Sequence, residues 1–176
     1  MSNFNPEIHH RHSIRLKNYN YSQAGAYFVT ITAYGWYPLF GSIDNGSMNL
    51  NEMGNLAQFC WNQIPYHFEN AQVDQFIVMP NHVHGIIILT KLNAKTRRGA
   101  ASSALSGLST IVRSYKSAVT KEVNIVKGTP GSPVWQRNYY EHVVRTDKEL
   151  NDVRQYSLDN PVKWTLDQDN RDLKRG

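Results

Sequence analysis

The sequence predicts an α+β fold, an antiparallel sheet with helices packed on it. Three observations carry that reading. Short runs rich in β-branched and aromatic residues recur at 27–33, 76–79 and 85–89. Turn residues such as Asp44-Asn45-Gly46 and Pro80-Asn81 divide neighbouring runs, which favours antiparallel pairing. Stretches with apolar residues at helical spacing lie between the runs. With 176 residues and 40% hydrophobic composition, one domain spanning 1–176 with its own core is expected.

In chain order, residues 1–20 are polar and irregular. Segments 1–13 and 167–176 read as flexible tails. Residues 27–33 (Tyr-Phe-Val-Thr-Ile-Thr-Ala) alternate and form a strand. Residues 39–43 and 47–50 form a hairpin about Asn45-Gly46. Asn51 caps a helix over 52–67, whose apolar positions are Met53, Leu56, Ala57, Cys60, Trp61 and Ile64; Pro65 distorts its end. Strands 76–79 and 85–89 flank the Pro80-Asn81 corner, with His82-Val83-His84 opening the second. A second helix spans 104–123, capped by Ser102 or Ser103. A Gly/Pro-rich loop at 128–133 precedes an irregular strand over 134–144. Thr146-Asp147-Lys148-Glu149 is a capping box for a third helix, expected to stop near Asp159 before Asn160-Pro161. The order β, hairpin, α, β, β, α, β, α fits a ferredoxin-like layout.

The formal charge is +5, which favours a polyanionic partner. Arg11, Arg15 and Lys17 lie in one basic run without acidic residues, and Arg97 and Arg98 in another. These are candidate phosphate contacts; a solvated surface is the plainer alternative. No apolar run approaches the ~20 residues of a membrane span. The first residues show no apolar signal core. The single cysteine, Cys60, excludes an intrachain disulfide and fits a reducing cytoplasm. A cytoplasmic protein without a membrane partner is expected.

Chemistry concentrates in two places. His82 and His84 are one residue apart on a strand, so both point to one face and can grip a single ion. The plainer alternative is two half-buried imidazoles bonded to carbonyls. Tyr156 and Asn160 are four apart on a helix and share a face. An Asn carbonyl oxygen suits a hard divalent cation, so His82, His84 and Asn160 make a three-ligand set. Tyr156 beside such an ion could attack a phosphodiester, since the cation favours the phenolate and polarises the phosphoryl group. Tyr156 as a core aromatic and Asn160 as a helix cap are the plainer alternatives. Tyr115 is the rival tyrosine, but Val119 one turn on cannot ligate.

Three segments together, Met-Pro-Asn-His-Val-His-Gly (79–85), Trp-Gln-Arg-Asn-Tyr-Tyr-Glu-His (135–142) and Tyr-Ser-Leu-Asp-Asn-Pro-Val-Lys-Trp (156–164), resemble the REP-associated tyrosine transposases, within the HUH single-tyrosine transposases. The resemblance spans roughly residues 13–166. It implies a ferredoxin-like domain that cuts and rejoins single-stranded or hairpin DNA with Mg²⁺ or Mn²⁺, through a 5′-phosphotyrosine. His82 and His84 match the HUH pair, Tyr156 the nucleophile, and Asn160 the place of a third, amide ligand. Ser157 and Leu158 depart from an aromatic-Ile pattern in relatives. Trp135, Arg137, Glu141 and His142 also match; Arg137 is a candidate DNA contact and Glu141 and His142 are secondary site candidates, of which alternation lets at most one reach the site. Relatives of this group include monomers and dimers that trade the tyrosine helix, so a homodimer stays open. Two other functions compete. A non-catalytic module could stack bases on Tyr27, Phe28, Tyr139 and Tyr140. A metallohydrolase would use water in place of Tyr156.

Overall fold

A computed structural model describes residues 20–91 and 106–164. The tails predicted at 1–13 and 167–176, the basic residues Arg11, Arg15, Lys17, Arg97 and Arg98, and the caps Ser102 and Ser103 lie outside the described residues.

Four strands form the central sheet: β1 (Gly25–Thr32), β4 (Ala71–Val78), β5 (His82–Leu89) and β6 (Tyr140–Val144), in the order β4-β5-β1-β6, all antiparallel. A small hairpin, β2 (Gly41–Asp44) and β3 (Ser47–Leu50), stands apart from it. Asn45 and Gly46 both have positive φ, 49° and 75°, as a two-residue hairpin turn of this hand requires. Helices α1 (Glu52–Asn62), α2 (Ile64–His67), α3 (Leu108–Lys127) and α4 (Asp147–Lys163) complete the chain. The four sheet strands with α1 and α3 are the βαββαβ arrangement of ferredoxin-like domains. The expected fold class is the observed one.

Alternation assigns each strand residue to a face. Tyr27, Val29, Ile31, Val83 and Ile87 join Ala57, Trp61, Ile111, Tyr115 and Val119 in the main core under α1 and α3. Phe28, Ile86 and Val144 face the other way and pack with Leu150 and Val153 of α4. Trp61 anchors the first layer: it stacks on Phe76 at 4.4 Å and meets Tyr115 edge-on at 5.3 Å. A bulge between Val73 and Phe76 inserts one residue into β4. It lets both apolar side chains pack on the core, although three positions apart they would otherwise point to opposite faces.

Local signals set most boundaries, with departures in β4, which starts at Ala71, and in the elements below. Asn51 caps α1, its side-chain oxygen accepting from Gly54 N at 3.0 Å, and the helix breaks at Gln63 before Pro65. Helix α3 starts at Leu108, four residues later than expected, from Gly107 without a side-chain cap. It runs on to Gly128, whose left-handed φ of 61° closes the C-terminus. Only residues 140–144 of the stretch 134–144 are strand; Trp135 makes one isolated bridge to Ala33. Helix α4 does not stop before Pro161 but continues to Lys163. Proline so near the end removes one intrahelical hydrogen bond. Burial of Asn160, Pro161 and Trp164 offsets it.

The α1 side of β5 is tightest at Gly85. A Cβ there would fall 2.3 Å from Trp61 Cζ2 and 2.9 Å from Phe76 Cδ2. Gly85→Ala is expected to destabilise the fold by about 1–3 kcal/mol through overpacking. A urea midpoint equal to that of the wild type would contradict this packing.

Candidate active site

His82 and His84 leave β5 on the face under α4, as alternation requires, while Val83 enters the main core. Both are nearly sealed from solvent, at 0% and 3% exposure. Buried imidazoles need partners at both ring nitrogens. His82 Nδ1 is 2.7 Å from Asn81 Oδ1, to which it donates. His84 Nδ1 is 2.8 Å from the hydroxyl of Thr30, its cross-strand neighbour on β1. The two Nε2 atoms face one another at 2.9 Å. Burial first, and the neighbouring His82 second, hold the His84 imidazole well below its ordinary range, so it is neutral.

Two hydrogen arrangements fit these distances, the first complete in itself and the second only with a cation between the two Nε2 atoms. Thr30 can donate to His84 Nδ1, and His84 Nε2–H can donate to His82 Nε2. Alternatively His84 Nδ1–H donates to Thr30, and both Nε2 lone pairs face one point. The second is the arrangement of metal-binding histidines, whose other nitrogen donates to an oxygen. The spacing suits it. Two nitrogens about 2.1 Å from one ion at a right angle stand about 3.0 Å apart. Moving between the two needs only a turned hydroxyl and a tautomer change, with no net proton lost.

Helix α4 closes the site from above. The Tyr156 ring lies 5.4 Å from that of His84, and the Trp164 ring 6.0 Å from that of His82. Asn160 is midway between them on the same helical stripe and 3% exposed. Its Nδ2 has no hydrogen-bond partner among the described residues. An amide that turns over exchanges nitrogen for oxygen, so this buried position can present an acceptor. Among the described residues no group of three His, Cys, Asp or Glu is placed to hold a metal. Among the described residues the Asn160 amide is a third donor beside the pair, and this donor set fits a divalent cation. Phe28 stacks on His84 at 5.4 Å and meets Tyr156 edge-on at 6.0 Å, fixing both rings. Tyr156 itself is 47% exposed, not a core aromatic. Its meeting with His84 occurs within one chain.

A cavity of about 550 Å³ opens beside this cluster. Thr30, His84 and Tyr156 line it, with Trp36, Tyr140 and His142. His142 pairs with Glu149 at the start of α4. Glu141 is buried on the opposite face, in register with Val29 of the main core, so of the two secondary candidates His142 alone meets the cavity. Arg137 is exposed on the loop before β6, where Lys116 Nζ donates to its carbonyl at 3.1 Å. The rival Tyr115 is a core residue whose hydroxyl donates to Ala57 O at 3.2 Å. The base-stacking platform fails as a set. Tyr27 is fully buried, Phe28 is 6% exposed beneath α4 and Tyr139 packs on the core. Tyr140 remains exposed. Sequence reasoning passed over Thr30 and Asn81. The adjacency of Asn81 to His82 was the one available signal; Thr30 needed the β1–β5 register.

No family model matches the chain. An uncharacterised protein of Haemophilus influenzae (strain ATCC 51907 / DSM 11121 / KW20 / Rd) is 41% identical over 174 residues, 94% of this chain and 96% of that protein. The chain belongs to that protein's family. Among solved structures, a REP-associated tyrosine transposase bound to a REP hairpin superposes with TM-score 0.57 and 19% identity, over 85% of this chain and 73% of that one. The chain thus shares the fold of the transposase group that its motifs resemble. A Deinococcus radiodurans R1 structure named as a candidate transposase gives TM-score 0.46 and 13% identity, over 84% of this chain and 96% of that one.

Docking of α4 rests partly on Arg154, which grips Asp74 at the β4 bulge through two hydrogen bonds. The Arg154 hydrogen bond, foremost, holds the Asp74 carboxyl below its ordinary range. Glu149 is likewise lowered, first by Arg145 N–H and then by His142. A lowered folded value means a contribution present at neutral pH and lost as pH falls through that value. Acidification below about pH 4 is therefore expected to speed amide exchange in α4, corrected for intrinsic rate, before the sheet. Asp74→Asn should show faster α4 exchange already at neutral pH; unchanged protection would contradict this anchoring.

Proposed function

We propose that the chain is a metal-dependent DNA strand transferase that cuts and rejoins single-stranded, hairpin-bearing DNA with Tyr156 as nucleophile. The observation that carries this reading is one convergence: two imidazole nitrogens 2.9 Å apart with the Tyr156 ring against one of them. Further support comes from the fold shared with a transposase bound to a REP hairpin. The formal charge of +5 also favours a polyanion.

In this reading His82, His84 and Asn160 hold Mg²⁺ or Mn²⁺, and Asn81 and Thr30 orient the imidazoles. When bound, the cation supplies positive charge that polarises the phosphoryl oxygen and favours the phenolate. Tyr156 gives its phenolic proton to solvent, which reaches it because the residue is 47% exposed. Its oxygen bonds to phosphorus, and the bond from phosphorus to the 3′ oxygen breaks. The 3′ oxygen takes a proton and leaves as a free hydroxyl. The 5′ phosphate stays on Tyr156, conserving the energy of the diester. Attack by another 3′ hydroxyl reverses the step, restoring the phenol and joining strands without ATP. Arg137, with Arg11, Arg15, Lys17, Arg97 and Arg98, supplies phosphate contacts in this reading.

Full-length protein incubated with a hairpin-bearing oligonucleotide and Mn²⁺ is expected to give a covalent adduct on a denaturing gel, mapped to Tyr156 by mass spectrometry. Tyr156→Phe should lower adduct formation by about a thousandfold or more, since the substitution removes the attacking oxygen. Cleavage without an adduct would instead identify water as nucleophile.

Orientation of the imidazoles is separable from the nucleophile. Asn81→Ala is expected to weaken Mn²⁺ binding by about 10–100-fold, measured calorimetrically. Equal affinity in the variant would remove Asn81 from this role.

A further inference from the structure

The loop after β1 has a conformation that its sequence does not favour. Gly35 and Trp36 both have positive φ, 66° and 63°. Glycine adopts that region freely, and at Gly35 a Cβ would meet Tyr37 Cε2 at 2.6 Å. A tryptophan seldom adopts it. Hydrogen bonds hold it there. Trp36 N donates to Ala33 O at 3.1 Å, Tyr34 N to Val134 O at 2.8 Å, and Ala33 N to Asn81 O at 2.8 Å. Asn81 Nδ2 reaches Trp36 O at 3.4 Å. Such unfavourable backbone, fixed by its surroundings, concentrates at functional sites.

Here it aims a side chain. Trp36 lines the cavity together with Tyr140, Tyr156 and His84. Trp61, Trp135 and Trp164 are buried at 0%, 6% and 8% exposure. Trp36 is half-buried. Tyr140, which also lines the cavity, is 42% exposed. Partly exposed aromatic rings in the lining of a cavity of about 550 Å³ suit a flat, apolar-faced ligand. A nucleobase of unpaired DNA is such a ligand, and stacking on aromatic rings accepts any base.

We propose that Trp36, with Tyr140 of the same cavity lining, forms a stacking subsite for one unpaired nucleobase of the DNA strand, next to the phosphate that a cation on the histidine pair would polarise. The subsite rests on the strand-transfer reading only for the position of that phosphate. Asn81 ties it to the chemistry, since one amide meets both His82 Nδ1 and the Trp36 carbonyl.

The test is tryptophan fluorescence of the full chain titrated with single-stranded oligothymidylate in EDTA, so that neither metal nor cleavage is involved. Stacking is expected to quench the emission of wild type. Trp36→Phe should bind within a few-fold of wild type but lose most of the quench. Trp36→Ala should bind about 5–150-fold more weakly, the worth of one base–aromatic stack. Quenching that persists in Trp36→Phe, or wild-type affinity in a folded Trp36→Ala, overturns the subsite. Should Trp36→Ala fail to fold, the Trp36→Phe quench alone decides. Quenching by wild type without any Tyr156 adduct would sustain the subsite and defeat the strand-transfer reading. An adduct with no Trp36-dependent quench would do the reverse.

Discussion

Two imidazoles sealed beneath a helix must each satisfy two ring nitrogens, and that demand organises the active face. The β1–β5 pairing sets Thr30 opposite His84. The Pro80-Asn81 corner delivers the Asn81 amide to His82. With both outer nitrogens engaged, the inner pair is left face to face at 2.9 Å. A proton or a cation between them makes that contact favourable; two bare lone pairs do not. Buried polar chains of this kind specify one arrangement when complete and are costly when broken. The histidine pair is therefore held by the sheet and the corner before β5.

The helix is the second half of the device. A ferredoxin-like sheet carries its two helices on one face, and here α4 covers part of the other. Its capping residues bind it to β6: Thr146 Oγ1 accepts from Glu149 N at 3.1 Å, and the Glu149 carboxylate turns back to Arg145 N and His142. Arg154 fastens its middle to Asp74, and Trp164 presses its end on His82. Between these anchors the stripe Tyr156, Asn160, Trp164 lies along the histidine pair. Tyr156 remains half-exposed, which in the strand-transfer reading leaves it open to the DNA. It meets His84 of its own chain.

Much of this was legible in the sequence. Period-two alternation placed His82 and His84 on one face, and helical spacing placed Tyr156 with Asn160. Asn45-Gly46, Asn51 and Thr146 announced their turn and caps. What was not legible depends on distant partners. The strand over 71–78 begins five residues before its apolar run because a bulge, invisible locally, accommodates Asp74 and Gln75. Helix α4 overrides Pro161 because Trp164 has a buried place to go. Tyr27 and Phe28 are neighbours of similar chemistry, yet one supports the main core and the other buttresses His84. Only the covering of both sheet faces removes them as stacking residues. The conformation of Trp36 had no local sign except the glycine before it.

The central claim is that His82 and His84 share one cation beside Tyr156. Anomalous diffraction at the manganese edge, from crystals grown with Mn²⁺, addresses it most directly. The account predicts one peak about 2.1 Å from both Nε2 atoms, with the Asn160 amide oxygen in the same shell. A peak bound elsewhere, or none with the two nitrogens still in mutual hydrogen-bond contact, would contradict it.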